Sequence, residues 1–239
     1  MKFAESVREA KFIKRYKRFF ADVHLAGEVV VAHVPNTGSL KTCLYEGSAC
    51  IVTESNNPAR KLKATLQFLQ TPTSWVGVNT SLPNSLVHEA WELKSIPGWD
   101  QFSVAQREYK ISKETRLDMV LARDTQALAE KKNLHHIEVK NVTYAEGQTA
   151  YFPDAETTRG QKHLLELMAL KKLGHGAELL FVVQRQDCTH FAPADNIDPE
   201  YGRLLRQAHA EGVVIRAFAC DIDPLIGVTL NPAPLTLVL

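Results

Sequence analysis

Long apolar runs are missing from this sequence. No stretch reaches the roughly 20 residues that a bilayer-spanning helix needs, which argues against a helical membrane protein. The opening "MKFAESVREAKFIKRYKRFF" carries glutamates and lacks the apolar core of a secretory signal, so export is not expected. Cysteine is sparse: Cys43, Cys50, Cys188 and Cys220 are scattered, with no Cys-x-x-Cys pair. That spacing argues against a structural zinc site and fits the reduced thiols of a cytoplasmic protein. Repeats, low-complexity tracts and long linkers are also absent. What remains is 239 residues of ordinary globular composition, 45% hydrophobic and 23% charged, enough for one large domain or two small ones.

Net charge is nearly absent too, at +1, but it hides an asymmetry. Residues 1–75 hold 11 Lys+Arg against 6 Asp+Glu, whereas the remainder holds 17 against 21. A basic first third beside a mildly acidic remainder suggests a polyanion-binding module joined to something else. The first third is also punctuated like a small β domain. "KRYKRFFADVHL", "EVVVAHV", "SACIVTES", "KLKATLQFLQ" and "SWVGVNT" read as strands, separated by the turn signals "LAGE", "PNTG", "YEGS" and "SNNPAR". About five short strands with a basic face predict an OB-like barrel over residues 1–82. A plain scaffold barrel has the same pattern.

From residue 83 the texture alternates between helix and strand, which predicts an α/β domain with a mixed sheet over 83–239. "PNSLVHEAWELKSI" and "TTRGQKHLLELMALKKLG" read as helices, the second stopped by Gly174. "REYKISKETRLDMVLAR", "LHHIEVKNVTYA", "AELLFVVQR" and "VVIRAFAC" read as strands. "DPEYGRLLRQAHAEG" is a helix with Asp198 as N-cap, Pro199 in the first turn and Gly212 past the end.

One stretch stands out. In "HHIEVKNVT", Ile137 and Val139 point one way along a strand while Glu138 and Lys140 share the other face. A cross-strand ion pair accounts for this, and so does a catalytic face. Glu-x-Lys also occurs at Glu92–Lys94 and Glu130–Lys132, in polar or helical contexts where it carries no chemistry. The pair at 138 and 140 differs in its company. In "RLDMVL", Asp118 sits among Leu117, Met119 and Val120, so an acid on one strand can meet Glu-x-Lys on the next. Two neighbouring carboxylates repel unless a cation neutralises them, and hard oxygen ligands suit Mg²⁺ or Mn²⁺. Lys140 would then orient or deprotonate an attacking water. Those are the parts of a phosphodiester hydrolase, with Glu89 as an extra carboxylate and Glu108 as a competing one. Arg159, Gln161, Lys162 and His163 at a helix start offer a phosphate contact, or are ordinary caps and surface charges.

"KFIKRYKRFF" interleaves five basic residues with Phe12, Tyr16, Phe19 and Phe20, as single-strand binding surfaces do. Lys14, Arg15, Lys17 and Arg18 are the candidate DNA contacts, and Arg60, Lys61 and Lys63 extend them. Phe19 and Phe20 are expected in the core. "HVPNTGSL" reads as a tight turn, with His33, Asn36 and Thr37 as alternative ligand contacts.

"RYKRFFADV", "HVPNTG", "GVNT", "TRLDMVL", "IEVKNVTYAE" and "YFPDAETTRGQKHLLEL", in this order, closely resemble the sugar fermentation stimulation protein A family. The resemblance implies an OB-like domain followed by a domain similar to PD-(D/E)xK nucleases. It also implies DNA binding without sequence preference and a regulatory link to sugar, particularly maltose, metabolism. On that resemblance Asp118 matches the nuclease acid and Glu138 and Lys140 its E-x-K. Gln161 and Lys162 fall where related nucleases place polar site residues. Thr115 stands where the family pattern has serine, and Glu156 where it has valine. The expectation is therefore a DNA-binding protein, or an active metal-dependent nuclease on DNA. A sugar-binding role is suggested by the family name alone.

Overall fold

A computed structural model gives the fold and describes residues 1–3, 5–112 and 115–239. Six strands form the first unit: β1 (Ser6–Tyr16), β2 (Phe20–Leu25), β3 (Glu28–His33), β4 (Ala49–Glu54), β5 (Ala64–Gln70) and β6 (Trp75–Gly77). The antiparallel order β3-β2-β1-β4-β5 is closed by a parallel pairing of His33 with Thr65, making a five-strand barrel with β6 alongside β5. Alternation fills it: Ala21, Val23 and Leu25 of β2 meet Cys50 and Val52 of β4 and Ala64 and Leu66 of β5. "KRYKRFFADVHL", expected as one strand, is in fact a hairpin. Lys17 and Arg18 take positive φ (47° and 61°) and reverse the chain without a glycine to announce it.

The second unit begins with α1 (Pro83–Glu92), followed by β7 (Val104–Lys110), β8 (Arg116–Ala122), α2 (Thr125–Glu130) and β9 (His135–Val142). The strand expected across 107–123 is two antiparallel strands, and residues 113 and 114 between them lie outside the described residues. Next come β10 (Ala145–Glu146), β11 (Thr149–Phe152), α3 (Thr158–Lys172), β12 (Gly176–Val183), β13 (His190–Pro193) and α4 (Pro199–Ala210). The last strands are β14 (Val214–Asp223), β15 (Gly227–Pro234) and β16 (Thr236–Leu237). The large sheet runs β15-β14-β12-β9-β8-β7, with β9, β12 and β14 parallel and the outer strands antiparallel, a mixed sheet as expected. A small sheet, β10-β11-β13-β16, sits beside it.

Each face of the large sheet has its own core. Leu179, Phe181 and Val183 of β12 pack with Leu164, Leu167 and Met168 of α3 and with Tyr201 and Leu205 of α4. Leu180 and Val182 of the same strand pack the other way, with Leu86 and Val87 of α1 and with Ile51 and Phe68 from the outside of the barrel. The barrel is thus docked on one face of the sheet and α3 on the other. Docking is close where β6 meets the loop after β12: Gly77 N donates to the Gln184 carbonyl at 2.8 Å. A Cβ on Gly77 would come within 2.4 Å of the Gln184 side-chain oxygen, so any larger residue would force that side chain to move. Asp198 caps α4 by accepting from Tyr201 N, as expected. All four cysteines are buried and unpaired. Burial pushes the thiols of Cys50 and Cys188 up to about 12, so neither is a nucleophile at neutral pH. Among the described residues, no helix is long and apolar enough to cross a membrane.

Candidate hydrolytic site

The alternation in β9 places the charged pair. Ile137 and Val139 enter the core shared with α1 and the barrel, so Glu138 and Lys140 face α3. The β8–β9 pairing ends with Met119 against Ile137, and Asp118, one residue earlier, lies near enough to Glu138 to feel its charge. The three sequence-predicted residues therefore converge. Lys140 Nζ donates to Glu138 Oε1 at 2.6 Å. Asp118 Oδ2 accepts from the Val139 backbone N–H at 2.8 Å, and Oδ1 from the Asn84 amide of α1 at 2.7 Å.

α3 supplies a fourth member. His163, 5% exposed, contacts Glu138 Oε1 through Nδ1, and the same nitrogen lies 3.1 Å from Lys140 Nζ. Arg159 Nε reaches the other ring nitrogen at 3.4 Å. Sequence reasoning singled out neither Asn84 nor the part His163 plays here. Asn84 follows the helix-opening Pro83 and reads as an ordinary first-turn residue, whereas His163 lay in the noted "TTRGQKHL" cluster.

The two carboxylates differ electrostatically. Burial, then the neighbouring Glu138, pushes Asp118 up to about 6, against the opposing hydrogen bonds from Val139 and Asn84. Burial also works against ionised Glu138, but the hydrogen bonds and charges of His163 and Lys140 outweigh it and hold this carboxyl below its ordinary range. Two facing carboxylates, one of them reluctant to ionise, form a hard-oxygen donor pair that a divalent cation would neutralise. Asp118 and Glu138 are the residues fitted to hold it. Among the described residues, no cluster of three His, Cys, Asp or Glu side chains has metal-binding geometry, so the other positions would fall to water or phosphate oxygens.

The extra carboxylates do not come here. Glu89 accepts from the Met1 ammonium at 2.8 Å, and Glu108 lies 3.5 Å from Arg116 on the exposed face of β7. Gln161 is also turned elsewhere, donating to both oxygens of Asp198 (2.9 and 3.2 Å) and so joining the start of α3 to the cap of α4. Lys162 is exposed and lies 3.9 Å from Glu166, one helical turn on. Thr115 Oγ1 donates to that same Glu166 at 2.5 Å, a bond that serine's hydroxyl would serve equally.

On the barrel, Lys17 and Arg18 are exposed at the hairpin tip beside Phe19, which is 45% exposed rather than in the core. Phe20 is half-buried and stacks on Tyr16 at 5.7 Å. Lys14 is exposed and lies 3.7 Å from Asp22. Arg15 is not a free contact. Its guanidinium donates to the carbonyls of Arg18, Gly38, Ser39 and Asn36, and so clamps the "PNTGS" loop. Asn36 completes the turn: its amide donates to Val78 O and its oxygen accepts from Gly38 N. Asp154 then accepts from Ser39 N, so close to Gly38 that a Cβ there would lie 2.7 Å from the carboxylate. Arg15→Ala should therefore destabilise the protein by about 1–3 kcal/mol through the unpaired carbonyls it leaves, measured by urea unfolding.

Residues 81–225 match the family model described as the sugar fermentation stimulation protein RE domain, and residues 13–78 match the SfsA N-terminal OB domain. The chain belongs to the sugar fermentation stimulation protein family. Family homologs include that of Bdellovibrio bacteriovorus, 52% identical over 234 residues and covering 94% of each chain. Another, from Geotalea uraniireducens, is 47% identical over 90% of each chain. Among solved structures, Pyrococcus furiosus SfsA, described as in complex with Ca²⁺, superposes along 100% of both chains. Its TM-score is 0.85 at 24% identity, a likeness of fold.

Proposed function

We propose that this member of the family binds DNA through its barrel and hydrolyses phosphodiester bonds at the Asp118–Glu138–Lys140 cluster, with Mg²⁺ or Mn²⁺ as cofactor. The observation that carries the reading is the meeting of these three side chains, from β8 and β9, in one partly buried polar cluster beneath α3. A divalent ion bound there would polarise a phosphoryl oxygen and stabilise the leaving oxygen. The description of the archaeal relative as a Ca²⁺ complex supports a divalent cation in this fold. Lys140, as an ammonium, orients the attacking water and offsets the negative charge that develops on the phosphate. His163, touching both Glu138 and Lys140, fixes their positions, and Arg159, which reaches His163, would meet a substrate phosphate. The deciding experiment is cleavage of labelled single- and double-stranded DNA with either metal, comparing wild type with Asp118→Ala and Lys140→Ala.

A second reading is DNA binding without cleavage, with the nuclease-like domain as scaffold and regulation of sugar use, including maltose, as the outcome. It is favoured by the engagement of the Lys140 ammonium with both Glu138 and His163. Both readings share the basic hairpin. Replacing Lys14, Lys17 and Arg18 together with alanine should flatten the dependence of log affinity on log salt by roughly 2 to 3. Fluorescence anisotropy across a salt series measures this, and an unchanged slope would remove the hairpin from the interface. Arg15, used within the barrel, is left out of that variant.

A further inference from the structure

A separate cavity of about 190 Å³ opens among β7, the end of α2, the start of β9 and the end of α3. It lies on the strand face that carries Glu138 and Lys140; along β9, His136 is about 7 Å from Glu138 and about 13 Å from Lys140. The polar groups around it are all potential donors: Tyr109, Lys110, Lys131, His136 and His175, with no acidic residue among the described lining. His136 is 2% exposed, and its Nδ1 has no hydrogen-bond partner. Nδ1 of His175 is likewise buried without a partner, and the two rings stand edge to face with centroids 5.1 Å apart. Lys110 and Lys131 are exposed and, among the described residues, make no ion pair. Buried nitrogens without partners are costly, and their presence beside an open cavity is unusual unless something fills it.

Two ammonium groups disfavour a metal cation beside these imidazoles and favour an anion. The rest of the wall is apolar, with Leu134 fully buried and Leu170 and Leu173 from the α3 side. We propose that this cavity is a binding site for a small phosphate monoester with a compact apolar body. The phosphate sits between the two lysines and the two imidazoles, and the carbon body lies on the leucines. This assignment does not depend on hydrolysis at Asp118 and Glu138.

Phenyl phosphate is the probe, titrated into the full chain while the histidine ring nitrogens are followed by NMR and the heat by calorimetry. Saturable shifts of both His136 and His175 are expected, with inorganic phosphate weaker because it leaves the leucines uncovered. Lys110→Gln and Lys131→Gln alter exposed side chains, so both should melt like wild type. Each should weaken phenyl phosphate about tenfold, the loss of one charged hydrogen bond. Absence of saturable shifts overturns the proposal. So does a response to Zn²⁺ or to a short oligonucleotide without one to phenyl phosphate.

Discussion

Lys140→Ala and Asp118→Ala are each expected to lower metal-dependent DNA cleavage by about 10²- to 10⁴-fold, the range for removing a positioned acid–base or charge-stabilising group. DNA affinity should stay essentially unchanged in the lysine variant. The Lys140 side chain is only 13% exposed and its ammonium is directed at Glu138 and His163, so it adds little to a phosphate-tracking surface. The barrel hairpin, with Lys17 and Arg18 exposed, supplies that surface instead. Removing Lys140 leaves Glu138 with its His163 contact, so the variant keeps a partnered carboxylate and should fold. Circular dichroism checks this before any kinetics. Hydrolysis that survives in Lys140→Ala would remove the lysine from the mechanism, and equal loss of cleavage and binding would make its role architectural. If wild type retains both DNA forms but cuts neither with either metal, the scaffold reading replaces the hydrolytic one.

Much of this cluster was legible because a strand has the simplest periodicity a chain can have. Alternate residues of β9 face opposite ways, so an acid and a lysine two apart had to share a face, and an acid between apolar neighbours on β8 marked the partner. Side chains reaching in from helices left weaker traces. Asn84 of α1 touches Asp118 and His163 of α3 touches Glu138, tertiary contacts with no local signature. The same gap explains the misplaced Glu89 and Gln161. Each sits on the right helix, but Glu89 is drawn to the Met1 ammonium and Gln161 to Asp198. In the barrel, the hairpin at Lys17 and Arg18 was invisible because lysine and arginine do not advertise positive φ. Strand β15 ends in "NPAP", and its prolines hid it.

Asp118→Asn should separate stability from function. In the metal-free protein, the rise of this carboxyl from its ordinary 3.8 to about 6 corresponds to about 3 kcal/mol of folding free energy at neutral pH. The sign follows from proton binding. Between those two values the folded chain holds a proton that the unfolded chain has released, so this group's contribution is present below 3.8 and is lost as pH rises through about 6. Glu138 acts in the opposite sense: held below its ordinary range, it stabilises the fold above the unfolded carboxyl's titration and loses that contribution as the solution is acidified. Asparagine removes the ionisation penalty at 118. Its oxygen still accepts from Val139 N, and its amide can donate to Asn84 once that side chain turns over. Chelator-treated Asp118→Asn is therefore expected to be about 1–3 kcal/mol more stable than wild type at pH 7.5 and about equal to it near pH 4, measured by urea unfolding. Mg²⁺ or Mn²⁺ should raise the melting temperature of wild type, because a cation offsets the same repulsion, and leave the asparagine variant nearly unmoved. A variant that is less stable at both pH values would mean that Asp118 is a structural acid. A stabilised variant that no longer cleaves would mark it as a group kept at a cost to folding for the metal it holds.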